Sequence, residues 1–317
     1  MHITCLYNPR SGRGKGLSGA RALESRLAER GHRVVVLEMT ENPESLCSQI
    51  QSSDRVVVIG GDGTVHHLLP TLLKAQTNAQ VPIYHFGTGT ANLIAKEFGM
   101  SKSPKRIVEH LEQPIEPTRV DVPTCNGLAF LIMVSIGIDA SVIHRFADAR
   151  ATKKAGYRAY FQPIVHELLS PNPARFSISP DDQTTDFTPI HTTGIGVISN
   201  LRSYGGGFNP NPKADPCDGM LNATAIQCKG SLGAGLQLGL LRARYTSSKI
   251  KRASAKSMNI ICDTDTPCLV QVDGERADRI PGITDGSLCP GQSLQIVIGN
   301  DSLLFHAPKP RLTSKVR

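Results

Sequence analysis

Arg55-Val56-Val57-Val58-Ile59-Gly60-Gly61-Asp62-Gly63-Thr64 is a β-branched run that breaks into a glycine-rich turn. A short apolar run bounded by glycine suits a strand buried on both faces, as in a parallel sheet. Consecutive glycines just past it let a phosphate approach the backbone, and Thr64 is placed to cap the helix that follows. An ordinary strand-to-helix turn looks the same, so this stretch alone leaves phosphate binding open.

Upstream, strand and helix signals alternate. Residues 3–7 form a short apolar run that ends at the Asn8-Pro9 turn. Leu17, Ala20, Leu23 and Leu27 then recur at helical spacing, and Gly31 closes that helix. Residues 34–37 read as a buried strand, and Asn42-Pro43 as the N-cap and first residue of the next helix. Downstream of the opening stretch, residues 81–86 make a fourth strand, again with a helix after it. Strands alternating with helices of this length predict a doubly wound parallel sheet, which binds ligands at the carboxyl ends of its strands.

The pattern changes over residues 114–123. Beyond it lie short β-rich runs at residues 130–134, 195–199, 221–226, 258–262, 269–272 and 294–298, with one helical insert at residues 156–169. This predicts an antiparallel β-sandwich as a second domain. The expected division is an α/β domain over residues 1–122 and a sandwich over residues 123–299. The basic tail from Lys309 to Arg317 is expected to fray.

Composition narrows the function classes. At 317 residues two domains are expected, and 39% hydrophobic against 20% charged residues is globular. A net charge of +8 suits an acidic partner such as a nucleotide or an anionic membrane. Aromatics are 5% with no Trp, which argues against single-stranded nucleic acid, so no nucleic-acid partner is expected. The 8 cysteines are scattered without a Cys-x-x-Cys pair, and Met1 opens almost directly onto a strand, so free thiols in the cytoplasm are expected. The longest apolar run is roughly eleven residues, against about twenty needed to span a bilayer.

Two more glycine-rich loops follow strands. Asn8-Pro9-Arg10-Ser11-Gly12-Arg13-Gly14-Lys15-Gly16 follows the first, and Gly87-Thr88-Gly89-Thr90-Ala91-Asn92 follows the fourth. Backbone N–H groups in such loops can converge on an anion, with help from the next helix N-terminus. Gly14, Gly16 and Gly19, with Glu38 further on, match the dinucleotide-binding spacing, but there the first glycine directly ends the strand, and Gly14 does not.

Taken together, these loops resemble those of the diacylglycerol kinase catalytic-domain family, which includes bacterial lipid kinases, sphingosine kinases and ceramide kinases. The resemblance continues through Gly137-Ile138-Asp139-Ala140, Gly205-Gly206-Gly207, Asp215-Pro216-Cys217-Asp218-Gly219-Met220-Leu221 and Asp273-Gly274-Glu275. It implies ATP bound between the two domains and a last strand, at about residues 300–308, returning to the first. It implies nucleotide contacts at Asn8, Ser11, Gly12, Thr40, Gly60, Gly61, Asp62, Gly63, Thr64 and Thr90. It implies a structural Mg²⁺ at Asp218 with the carbonyls of Asp215 and Met220, and Glu275 as proton acceptor. Glu275 suits general-base work and the aspartates are hard oxygen ligands, although Asp-Gly sequences also form hairpin turns and Asx turns.

The chain departs from the family pattern in two places. His66-His67 stands where Asn-Glu is usual, and Gly87 where Pro is common. Adjacent histidines on a helix point apart, which argues against a joint metal site. Two basic clusters could dock on the inner face of a membrane or simply be solvated: Arg145, Arg150, Lys153, Lys154 and Arg158, then Arg242, Arg244, Lys249, Lys251, Arg252 and Lys256. The expected partner is a lipid substrate at a membrane surface, and an edge strand of either sheet could also pair in a homodimer. The alternatives are a soluble-substrate kinase of the NAD-kinase type and a non-catalytic nucleotide sensor.

Overall fold

A computed structural model describes residues 1–151, 174–181, 187–228, 231–242 and 247–308. The predicted helical insert at residues 156–169, the tail from Lys309, and Lys153, Lys154, Arg158 and Arg244 of the basic clusters lie outside the described residues. The chain divides into two compact units, Met1–Asp121 with the segment from Asn300 onward, and Val122–Gly299.

In the first unit the parallel strands are β1 (His2–Tyr7), β2 (Arg33–Glu38), β3 (Arg55–Gly60) and β4 (Ile83–Gly87). The sheet order is β2-β1-β3-β4-β18-β5, where β5 is Thr118–Asp121 and β18 is Ser302–Phe305. β18 runs parallel to β4 and antiparallel to β5, so the end of the chain completes this sheet. Helix α1 (Lys15–Glu29) packs with α5 (Pro104–Glu112), and α2 (Pro43–Gln51) with α3 (Asp62–Asn78), which gives a layer on each face. The strand order reverses between the parallel neighbours β1 and β3, and that switch point opens a crevice at their carboxyl ends. Asn42 caps α2 through bonds from the Glu44 and Ser45 N–H groups, with Pro43 first in the helix, as its sequence predicts.

The second unit is antiparallel. Its strands are β6 (Thr124–Cys125), β7 (Leu128–Ala129), β8 (Met133–Gly137), β9 (Arg175–Pro180), β10 (Ile190–Ser199), β11 (Leu221–Gln227), β12 (Ile250–Ala255), β13 (Ser257–Cys262), β14 (Cys268–Val272), β15 (Glu275–Arg276), β16 (Ser287–Leu288) and β17 (Ser293–Val297). β10 belongs to both halves of the sheet: residues 190–193 pair with β9, residues 194–199 with β11 and residues 195–199 with β8. Both halves enclose one apolar core that includes Val134, Ile136, Phe176, Ile178, Met258, Ile260, Val270 and Leu294. Helices α6 (Ile138–Ala151) and α7 (Ser231–Arg242) interrupt the β pattern, and neither was signalled in the sequence.

The changeover in β10 occurs at Gly194. Its φ is +140°, and an added Cβ would lie 2.4 Å from Cys228 Sγ and 2.5 Å from the Ile226 carbonyl oxygen. Gly194→Ala is expected to lower stability by roughly 3 kcal/mol or more, read as a shifted denaturant midpoint. A midpoint equal to that of the wild type would show that the bend tolerates a side chain.

Several expected boundaries move, and the strand expected at residues 195–199 begins at Ile190. The fourth strand starts at Ile83 rather than residue 81, since residues 81 and 82 form its approach. Residues 130–132 are not strand, and β8 begins at Met133, because the Asp273 carboxylate accepts the Leu131, Ile132 and Met133 N–H groups at 2.8, 2.7 and 3.0 Å. A side chain distant in sequence thus takes the donors that a strand would have used.

Three buried histidines donate Nε2–H to backbone carbonyls: His85 to Gly60, His144 to Val270 and His306 to His110. Burial pushes each below the ordinary imidazole value of 6.5. Below that pH the unfolded chain takes up protons that the folded chain refuses, so stability present above pH 6.5 is lost as pH falls. Melting temperature is therefore expected to fall steadily from pH 7 toward pH 5, about the range over which free imidazole titrates. A flat profile would mean that these rings protonate in place.

Candidate active site

The three glycine loops of the first unit meet through direct contacts. In the first loop the Asn8 amide N–H donates to the Ile59 carbonyl at 3.0 Å, and Asn8 Nδ2 donates to Thr64 Oγ1 at 2.9 Å. Ser11 Oγ pairs with Thr88 Oγ1 at 2.9 Å, and the Thr88 N–H donates to the Gly60 carbonyl at 2.8 Å. A Cβ on Gly12 would lie 2.5 Å from the Thr88 carbonyl oxygen, and one on Gly89 would lie 2.7 Å from Gly61 Cα. Backbone therefore touches backbone at both places, and a side chain would drive the loops apart.

Asp62 ties the second loop to the third. Its carboxylate accepts the Leu93 and Ile94 N–H groups at 2.9 and 3.1 Å, where the short helix α4 (Leu93–Glu97) begins. Asn92 closes the third loop on itself, bonding Gly89 N–H through Oδ1 at 2.9 Å and Gly89 carbonyl through Nδ2 at 2.7 Å. His85, in β4, holds the Gly60 carbonyl at 3.1 Å. Its pKa is lowered first by burial, against an opposing pull from the Asp62 charge.

Sequence expectations fare unevenly here. Asn8, Ser11, Gly12, Gly60, Gly61, Asp62 and Thr64 are brought together by these contacts, and Gly63 sits in the first turn of α3. Thr64 does not cap α3: Gly61 holds the N-cap position, and the Thr64 hydroxyl is engaged by Asn8. Thr90 is exposed on the third loop. Thr40 is exposed beyond β2, where its hydroxyl donates to Glu38 at 2.6 Å. Thr88 and His85 were not anticipated as parts of the site, because their partners lie on other strand ends; Asn92, whose partner is Gly89 of its own loop, was read only as part of that loop. His66 is buried and His67 exposed, as adjacent helix positions require. The loop Asn8–Gly14 separates β1 from α1, so the dinucleotide spacing lacks its required geometry.

The second unit carries the other candidate residues. Asp273 (φ +52°) and Gly274 (φ +82°) form a two-residue turn joining β14 to β15, with Val272 opposite Glu275. Both positive φ values fit a tight hairpin, so the Asp-Gly turn reading is correct and coexists with any role of Glu275. Among the described residues the half-buried Glu275 carboxylate has no hydrogen-bond or ion-pair partner. Asp215 and Asp218 form Asx turns, accepting the Cys217 N–H at 3.1 Å and the Met220 N–H at 2.9 Å. The Asp218 carboxylate with the Asp215 and Met220 carbonyls is an all-oxygen donor set, which fits Mg²⁺ by its chemistry. Among the described residues, no three His, Cys, Asp or Glu side chains gather as a metal cluster.

Of the basic clusters, Arg252 is engaged within the fold, its Nε donating to the Pro210 carbonyl at 2.8 Å. No helix among the described residues is long and apolar enough to cross a membrane.

Residues 2–123 match the model of the diacylglycerol kinase catalytic domain. Residues 132–298 match that of the YegS C-terminal NAD kinase beta sandwich-like domain. The chain is 27% identical over 286 residues to a diacylglycerol kinase of Mycobacterium tuberculosis, an alignment covering 84% of this chain and 89% of that one. In fold it is similar to a diacylglycerol kinase from Bacillus anthracis, with a TM-score of 0.64, 16% identity and 96% of each chain covered. With residues 2–123 matching the catalytic-domain model and residues 132–298, more than half of the chain, matching the YegS C-terminal sandwich-like domain, the chain belongs to the diacylglycerol kinase catalytic-domain family.

Proposed function

We propose that the chain is an ATP-dependent lipid kinase that transfers the γ-phosphoryl group of ATP to a lipid hydroxyl, working at a membrane surface from the cytoplasmic side. The observation that carries this reading is the convergence of three strand-end glycine loops at the β1/β3 crevice. Phosphoryl transfer asks the protein mainly for positioning and electrostatic stabilisation. The loop amides bind the phosphates, and the bonds among Asn8, Thr64, Ser11 and Thr88 fix the cradle in advance.

In the reaction the lipid oxygen forms a bond to the γ-phosphorus, the bond from that phosphorus to the bridging oxygen breaks, and ADP leaves. The hydroxyl proton passes to the Glu275 carboxylate, which has no competing partner among the described residues. Asp218, with the Asp215 and Met220 carbonyls, would hold Mg²⁺, which when bound offsets negative charge.

The test is transfer of labelled phosphate from ATP to diacylglycerol, phosphatidylglycerol, sphingosine and ceramide in mixed micelles, with NAD as a soluble acceptor. A phosphorylated lipid of the expected mass supports the proposal. Phosphorylation of NAD alone, or ATP binding with no transfer, overturns it.

A further inference from the structure

The turn that presents Glu275 is held by a hydrogen-bonded chain of buried and half-buried side chains. Gln271 in β14 is 2% exposed, and both ends of its amide are engaged. Its Oε1 accepts the Gly274 N–H at 2.8 Å, from inside the hairpin turn. Its Nε2 donates to Ser135 Oγ at 2.9 Å and to Asp139 Oδ2 at 3.3 Å. Ser135 and Tyr204 both donate to the Asp139 carboxylate. Asp139 lies in the first turn of α6, where the positive end of the helix favours a carboxylate. Burial and the Asp139 charge push the Tyr204 hydroxyl well above its ordinary value, so it remains a donor.

The donors therefore run one way, from Gly274 through Gln271 and Ser135 to Asp139. This order fixes which end of the Gln271 amide faces the turn, because only its oxygen can accept from Gly274. The same turn is gripped on its other side by Asp273, bonded to the amides of Leu131, Ile132 and Met133. A hairpin of this type needs no such support to close. Two independent anchors, one a polar network centred on the buried Gln271 and Ser135, make sense if the turn must hold the next side chain in one place.

We propose that Gln271, backed by Ser135, Asp139 and Tyr204, is a positioning residue that sets the Asp273-Gly274 turn and thereby aims the Glu275 carboxylate at the acceptor hydroxyl. This rests on the reading of Glu275 as proton acceptor. Gln271 touches neither substrate nor reacting atoms and acts through the turn.

The test compares full-length Gln271→Ala, Gln271→Glu and Glu275→Gln with the wild type in the labelled-phosphate assay, using the micellar lipids named above. Gln271→Ala is expected to lower kcat by about a hundredfold, the scale of a misplaced catalytic group, with KM for ATP unchanged. Gln271→Glu keeps the shape of the side chain. Protonated, it reproduces the amide's bonds; ionised, it repels Asp139 and opens the network. Its kcat–pH profile should therefore gain a falling alkaline limb that the wild type lacks. That limb also decides the matter if Gln271→Ala fails to fold. Wild-type kcat and pH profile in Gln271→Glu, with Glu275→Gln inactive, would overturn the positioning role alone. An active Glu275→Gln would instead remove the base assignment on which it rests.

Discussion

Glu275→Gln is expected to abolish turnover, lowering kcat by about a thousandfold, within the usual range for loss of a general base. The dissociation constant for ATP should stay that of the wild type. The substitution is nearly isosteric, and Glu275 pairs with Val272 through backbone bonds that do not involve its side chain. Because the carboxylate has no partner among the described residues, its replacement breaks no bond and strands no group among them. A loss of kcat is then attributable to the missing proton acceptor and not to rearrangement. The measurements are single-turnover phosphate transfer and calorimetric ATP binding. Turnover near that of the wild type would end the assignment; equal losses of turnover and ATP affinity would place Glu275 in nucleotide binding instead.

How much of this was legible in the sequence depends on how local each feature is. The first unit was readable because its signals are short-range. β-branched runs, Asn42-Pro43 and glycines at strand ends each act within a few residues, and their alternation specifies a doubly wound sheet. The return of β18 was not readable from residues 302–305 themselves, since four apolar and small residues cannot name their partner strand; only the family resemblance implied it. The start of β8 was misplaced for the same reason. Nothing near Leu131 says that Asp273 will take its amide. Asp139 and Asp273 both stood inside recognisable motifs, yet their partners, Tyr204, Gln271 and the amides of residues 131–133, are distant in sequence. Thr64 is the clearest case of a local rule overridden: a threonine after Gly-Asp-Gly reads as a cap, but Asn8 reaches across from β1 and takes its hydroxyl.

Asp62 shows the same override with a larger consequence for binding. In sequence it reads as a loop residue beside phosphate, where a second negative charge is hard to justify. In the structure its charge is spent on the Leu93 and Ile94 amides. Asn92, at the N-cap of α4, has left-handed backbone and no side-chain bond to the helix, so Asp62 supplies the missing cap from another loop. Asp62→Ala leaves two buried amides without acceptors, at about 1–3 kcal/mol each, and frees the third loop from the second. ATP affinity is expected to fall by at least about tenfold, equivalent to about 1.4 kcal/mol. Asp62→Asn, which retains one acceptor oxygen, should fall between Asp62→Ala and the wild type. A carboxylate that contacted the nucleotide or its metal directly would give a different order, with Asn as damaging as Ala. Calorimetric ATP titration of the three proteins separates these cases, and an unchanged dissociation constant in Asp62→Ala would remove this loop from the nucleotide site.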